Sequence, residues 1–198
     1  MESSRIHKIA RILNALVLIA LVCNIIILYL VPVAVVSLEL SDGYGLLSGV
    51  AAYLGDFFRS GQQDVLTSGA AASFLAWLWC WKSPKAGMLT LFLVVSGICT
   101  AIILWQGRRV LRTILRGAPF SMENAISLRR AAVCCFLIAG AALVRVGWSI
   151  CYYRSLFPLV TYNALFVPIF AMAGLLCLVM SALFRQAAEL KEDQDLTI

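Results

Sequence analysis

The most reactive side chains in this sequence are seven cysteines, at positions 23, 80, 99, 134, 135, 151 and 177. Thiolates attack disulfides, bind soft metals and hold iron–sulfur clusters, so their spacing decides what they could do. No Cys-x-x-Cys occurs and His7 is the only histidine, which argues against a zinc site or a bis-histidine haem. Nearly all of them lie inside long apolar runs, where a free cysteine behaves as a small hydrophobe. Cys80 and Cys151 sit towards the ends of such runs, and they either pair as a disulfide or stay free. A quinone-linked disulfide oxidase needs paired cysteines at close spacing outside the membrane, and this sequence lacks them. It also lacks a Ser/His/Asp set, a carboxylate dyad and a phosphate-binding glycine loop, so enzyme is the weakest class and no cofactor is expected.

A second candidate chemistry is ionic. Arg145 is the only ionisable residue deep inside an apolar run, sharing a helical face with Ala141, Trp148 and Tyr152. Intramembrane charges often mark function, and the available partners are Asn163 or the acids Glu39 and Asp42. The plainer reading is that Arg145 snorkels to the nearby interface. Asn24 and Asn14 belong to the first run, where the default role is an interhelical hydrogen bond worth about 0.6 kcal/mol. A transporter or channel with Arg145 lining an anion path is the alternative function. It would normally need several converging polar groups, and no pair of interrupted helices repeats between the halves.

The elements that must position these residues are membrane spans. Of the 198 residues, 62% are hydrophobic and 13% charged, against about half and a quarter in a soluble domain. The excess is gathered into Ile9–Val36, Gly87–Gln106, Ala131–Tyr152 and Phe157–Phe184, each long enough for the about 20 residues that cross a bilayer. The first is too long for a signal-peptide core and no cleavage pattern follows it. The expected fold is therefore all-α: one polytopic membrane four-helix bundle spanning residues 1–198, with the lipid bilayer as its first partner.

Basic residues near span ends mark the cytoplasmic side. The N-terminal arm carries Arg5, Lys8 and Arg11. The segment after the second run carries Arg108, Arg109, Arg112, Arg116, Arg129 and Arg130 against Glu123 alone. Four spans place both of these, and so both termini, on the cytoplasmic side of a cell membrane, with residues 38–86 outside. A fifth span over Val65–Trp81 would force the six-arginine loop outside. That run is also diluted by Thr67, Ser68, Gly69 and Ser73, and its three tryptophans suit an interface. Leu46, Leu47, Val50, Leu54, Phe57 and Phe58 make a helical stripe, so the external segment is expected to hold interfacial helices.

The loop between the second and third runs is the most informative stretch. Val110, Leu111, Ile114 and Leu115 continue the apolar stripe, and Gly117-Ala-Pro119 stops the helix. Ser121 is a suitable N-cap for the next helix, with Glu123 in its first turn. A basic helical hairpin over 107–130 should thus project about 10–15 Å from the membrane. The fourth helix should continue through Leu190 into an acidic end at Glu192, Asp193 and Asp195. Arg108, Arg109, Arg112, Arg116, Glu123, Asn124, Glu192, Asp193 and Asp195 are the candidates for docking a partner. Anionic headgroups alone would also explain the arginines, at about 1 kcal/mol each.

At this hairpin and tail the sequence resembles an uncharacterised bacterial family of small four-span proteins, a domain of unknown function. The resemblance rests on Gly117-x-Pro119-Phe120-x-x-Glu123-Asn124-Ala125-x-x-Leu128-Arg129 and on the ending Leu190-Lys-Glu-Asp-Gln-Asp-Leu-Thr-Ile198, and covers the first span and residues 87–198. Members of that family are often encoded beside a small helix-turn-helix regulator of the Cro/CI type. The resemblance implies a non-enzymatic membrane-bound regulatory partner of such a protein. No direct binding of nucleic acid by this chain is expected, and homo-oligomerisation is open. The segment 38–86 is longer than the family's usual connection.

Overall fold

The structure is a computed structural model that describes residues 2–40, 74–81, 83–116, 121–154 and 162–195. Side chains are described from residue 11 onward in the first helix, to residue 36, and from residue 164 to residue 194 in the last. Four long helices carry the fold: α1 (Glu2–Leu40), α2 (Pro84–Leu115), α3 (Met122–Tyr153) and α4 (Tyr162–Asp195). A short helix over 74–80 precedes α2. The stripe from Leu46 to Phe58 lies outside the described residues, as do 65–73 of the Val65–Trp81 run.

All four long helices contain stretches apolar enough to cross a bilayer, with mean hydropathies of 2.9, 2.4, 2.0 and 2.4. No other such stretch occurs among the described residues. The chain is therefore a multi-pass membrane protein. The helices are longer than the apolar runs: α2 and α3 each have 32 residues, about 48 Å of helix against a hydrocarbon core of about 30 Å. α4 stays helical to Asp195, beyond the expected end at Leu190, so Glu192 and Asp193 stand on helix rather than on a free tail.

The helices make two compact units. In the smaller, residues 26–94, Val31, Val35, Cys80 and Ala86 form the buried core. Pro32 removes one helical N–H from α1, a loss tolerated in membrane helices where neighbours satisfy the freed groups. The Pro32 carbonyl accepts from the Cys80 thiol at 3.8 Å. Ser83 and Pro84 begin α2 as a cap and a first-turn proline should: Gly87 N donates to Ser83 O at 2.9 Å.

In the larger unit, residues 1–25 and 95–198, α3 is the central element. Its buried face is built from Asn124, Ser127, Ala131, Cys135, Ile138 and Ala142, repeating at helical spacing. Small side chains let backbones approach closely, which is how helices associate where lipid offers no hydrophobic drive. Cys99, Cys134 and Ile138 form the core with Val95, Ile103 and Phe170, so cysteines of α2 and α3 pack there as hydrophobes. α4 runs against α3 and touches it closely at Gly174, where an added Cβ would meet the Phe136 ring at 3.1 Å. Outward-facing Leu143, Val144, Leu165, Ile169, Leu176 and Val179 stay exposed, as a lipid-facing surface requires.

Candidate functional site

The polar chemistry of the larger unit is concentrated at one end, where α2 finishes, α3 begins and α4 finishes. Ser121 takes the N-cap position of α3 with extended backbone, as its residue type suggests. Its carbonyl accepts from Asn124 N at 3.0 Å, whereas its hydroxyl makes no capping bond. Glu123 stands in the first turn of α3 with its side chain turned to α2, where it forms an ion pair with Arg109. Arg109 Nε donates to Glu123 Oε1 at 3.0 Å.

One turn further along α2, Thr113 makes a second cross-link between the same helices, to Asn124. Thr113 is 8% exposed and Asn124 0%, and the Thr113 hydroxyl donates to Asn124 Oδ1 at 2.6 Å. The same hydroxyl lies 2.7 Å from the Val110 carbonyl, its alternative local acceptor. On the other side of α3, Ser181 of α4 donates to the Ala125 carbonyl at 2.7 Å. Three helices are thus pinned within a few residues of the N-terminus of α3. Asn124, expected on a docking face, is instead fully buried and holds the base together. Its neighbours Arg112, Arg116 and Glu123 remain exposed, and Arg108 is half-buried.

Two concavities flank this seam. On α2, Trp105, Arg108, Arg109 and Arg112 line a depression of about 260 Å³. These positions recur at three- and four-residue steps, so one face of α2 carries an indole and three guanidiniums. Between α3 and α4 a second cleft of about 270 Å³ is lined by Met122, Ile126, Arg129, Leu178, Ala182 and Arg185, among others. Arg185 Nε donates to Glu189 at 2.8 Å, within α4. Thr113, Ser181 and Arg185 were not among the residues expected from the sequence. Thr113 carried a signal, because it is a hydroxyl on the apolar stripe of Val110 and Ile114.

The other expected site residues lie elsewhere. Arg145 is half-buried in α3, one turn before Trp148, which stacks on Tyr152 with centroids 5.0 Å apart. Asn163 falls in the first turn of α4, and its side chain is outside the described ones. Asn14 and Asn24 share the less exposed face of α1 with Val17, Leu21 and Leu28. Their Oδ1 atoms are buried and meet no hydrogen-bond donor among the described residues, so neither makes the expected interhelical bond there through that oxygen. Cys80 is buried and Cys151 exposed, and each is a free thiol. Asp195 ends α4.

No curated protein and no solved structure matches the chain. A family model described as a protein of unknown function (DUF2975) matches residues 62–198. The matched region takes in the short helix, α2, α3 and α4, including the whole pinned end. It also takes in residues 62–86, which the resemblance drawn from the hairpin and tail left out, and it begins after α1. The chain belongs to the DUF2975 family.

Proposed function

We propose that this protein is a non-enzymatic membrane regulator of a bacterial cell, whose arginine-bearing end faces the cytoplasm and docks a small DNA-binding regulator. The observation that carries the reading is the pinned base. Glu123, Thr113, Asn124 and Ser181 fix α2, α3 and α4 to one another. They hold Arg108 and Arg112 on successive turns of one face of α2, with Arg116 in the turn that follows it. A rigid row of guanidiniums suits carboxylates on a partner, since arginine presents planar, bidentate donors. The excess of arginine around the α2–α3 connection supports a cytoplasmic placement. The acidic end of α4, with Glu192, Asp193 and Asp195, is the second docking element in this reading. The resemblance to proteins encoded beside Cro/CI-type regulators suggests the class of partner.

The test is co-purification of the full chain, in detergent, with the Cro/CI-type helix-turn-helix protein that this reading expects to be encoded beside it. Arg108→Glu/Arg112→Glu is expected to abolish the complex, and removal of residues 189–198 to weaken it. Binding unchanged by the tail deletion would remove the tail's role, and no binding by the intact chain would sink the proposal. Liposome flux tests the transporter alternative, since a regulator passes no anion whether position 145 is Arg or Ala.

A further inference from the structure

We propose that the cleft between α3 and α4 binds one anionic phospholipid, its phosphate between Arg129 and Arg185 and an acyl chain along Ile126 and Leu178. The inference uses different residues from the docking face and stands without it. The cleft is about 270 Å³, room for a headgroup and glycerol rather than for a whole lipid. The bond from Ser181 to Ala125 marks where the two helices meet at its floor.

The helices are antiparallel, with Gly174 against Phe136 and Ser181 against Ala125. Arg129 and Arg185 each lie four residues beyond that Ser181–Ala125 level, in opposite directions, about 6 Å along the axis. Every Cα–Cβ bond leans towards its own helix N-terminus. Arg129 therefore leans back towards Ala125 and Arg185 towards Ser181, so both lean to the same level of the cleft from its two ends. Arg185 currently holds Glu189, but their side chains are 66% and 50% exposed, and an exposed pair of this kind exchanges readily for a stronger anion.

The walls identify the rest of the ligand. Met122, Ile126 and Leu178 line the cleft and are 41%, 48% and 38% exposed, which a water-soluble anion would not cover. A lipid covers Ile126 and Leu178 with its own chain while its phosphate meets the guanidiniums. Two guanidiniums beside one phosphate repel a choline attached to it, which favours an anionic headgroup over a zwitterionic one.

The experiment is native mass spectrometry of the whole protein from detergent, titrated with dioleoyl phosphatidylglycerol or dioleoyl phosphatidylcholine. Phosphatidylglycerol should be retained preferentially. Arg129→Gln and Arg185→Gln should each weaken it about fivefold, the equivalent of about 1 kcal/mol per arginine at an anionic surface. Arg130→Gln, which removes the same charge beside the cleft, should change nothing. Glu189→Gln should tighten binding by freeing Arg185, a gain that a damaged fold cannot produce. Inorganic phosphate should not displace the lipid. Equal retention of the two lipids, an equal loss in Arg130→Gln, weaker binding in Glu189→Gln, or displacement by phosphate would each overturn the proposal.

Discussion

Replacing Thr113 by valine keeps the side-chain shape and deletes one hydroxyl, whose bond to Asn124 is its contact between α2 and α3 and whose other acceptor is the Val110 carbonyl of its own helix. Both groups are nearly out of contact with solvent, at 8% and 0% exposure, and the bond is 2.6 Å long. A net intramolecular hydrogen bond contributes about 1 kcal/mol, and a buried acceptor left without its donor costs about 1–3 kcal/mol. Measured couplings between membrane helices average about 0.6 and reach about 1.7 kcal/mol, because the separated helices find other partners. The expected loss is therefore about 1–2 kcal/mol. Arg109→Gln removes the more conspicuous interaction, yet its side chains are 44% and 51% exposed, and such pairs contribute about 0–1 kcal/mol. That smaller loss should shrink further as salt shortens the screening length from about 10 Å to about 3 Å. Reversible unfolding in mixed micelles, followed by circular dichroism at low and high salt, reads both. Thr113→Val should cost more than Arg109→Gln and be insensitive to salt. Thr113→Val/Asn124→Leu, with both partners apolar, should recover most of the loss. An Arg109→Gln loss exceeding that of Thr113→Val would refute the argument that burial ranks these two contacts.

Gly174→Ala places a Cβ at 3.1–3.2 Å from the Phe136 ring and should destabilise by about 1–3 kcal/mol, with Phe136→Leu restoring much of it in the same unfolding assay. Arg154 ends α3 in the left-handed region, at φ 48°, where glycine has no steric penalty. Arg154→Gly should accordingly leave stability unchanged or raise it by up to about 1 kcal/mol; a clear loss would mean the side chain, not the backbone, matters there. A maleimide added to the folded protein should modify the exposed Cys151 and spare Cys80 until denaturant is added, and reducing agent should not shift mobility on a gel. Reporter fusions should give cytoplasmic signal at the α2–α3 connection and external signal within 38–86; the opposite pattern would reverse the proposed orientation.

The spans were legible because little besides a membrane crossing calls for an apolar run of about 20 residues. Their true lengths were less so. Val110 to Leu115 continue the apolar stripe of the second run, and α2 does run to Leu115. The acidic residues after Leu190 read as an end to helix, yet α4 runs through them. Glutamate and lysine are good helix formers, so their charge predicts exposure and not a break. The site was legible in composition and not in pairing. Six arginines and one glutamate are visible in the sequence, but that Glu123 would reach Arg109 depends on how the chain turns between α2 and α3. Asn124 was misplaced on the surface for the same reason, since only the arrival of Thr113 from α2 makes its position an interior one. The α3–α4 cleft joins residues about fifty positions apart and leaves no local pattern at all.

The close approach of Gly174 to Phe136 gives the α3–α4 pair a fulcrum. Phe136 lies 14 residues from Met122 and 17 from Tyr153, arms of about 21 Å and about 26 Å on a helix of 1.5 Å rise. Two stiff rods that lie side by side and touch near their middles rock like a clothes peg: prising one pair of ends apart presses the other pair together, in proportion to the arm lengths. The bond from Ser181 to Ala125 sits on the shorter arm, so it is the catch that such a movement must release.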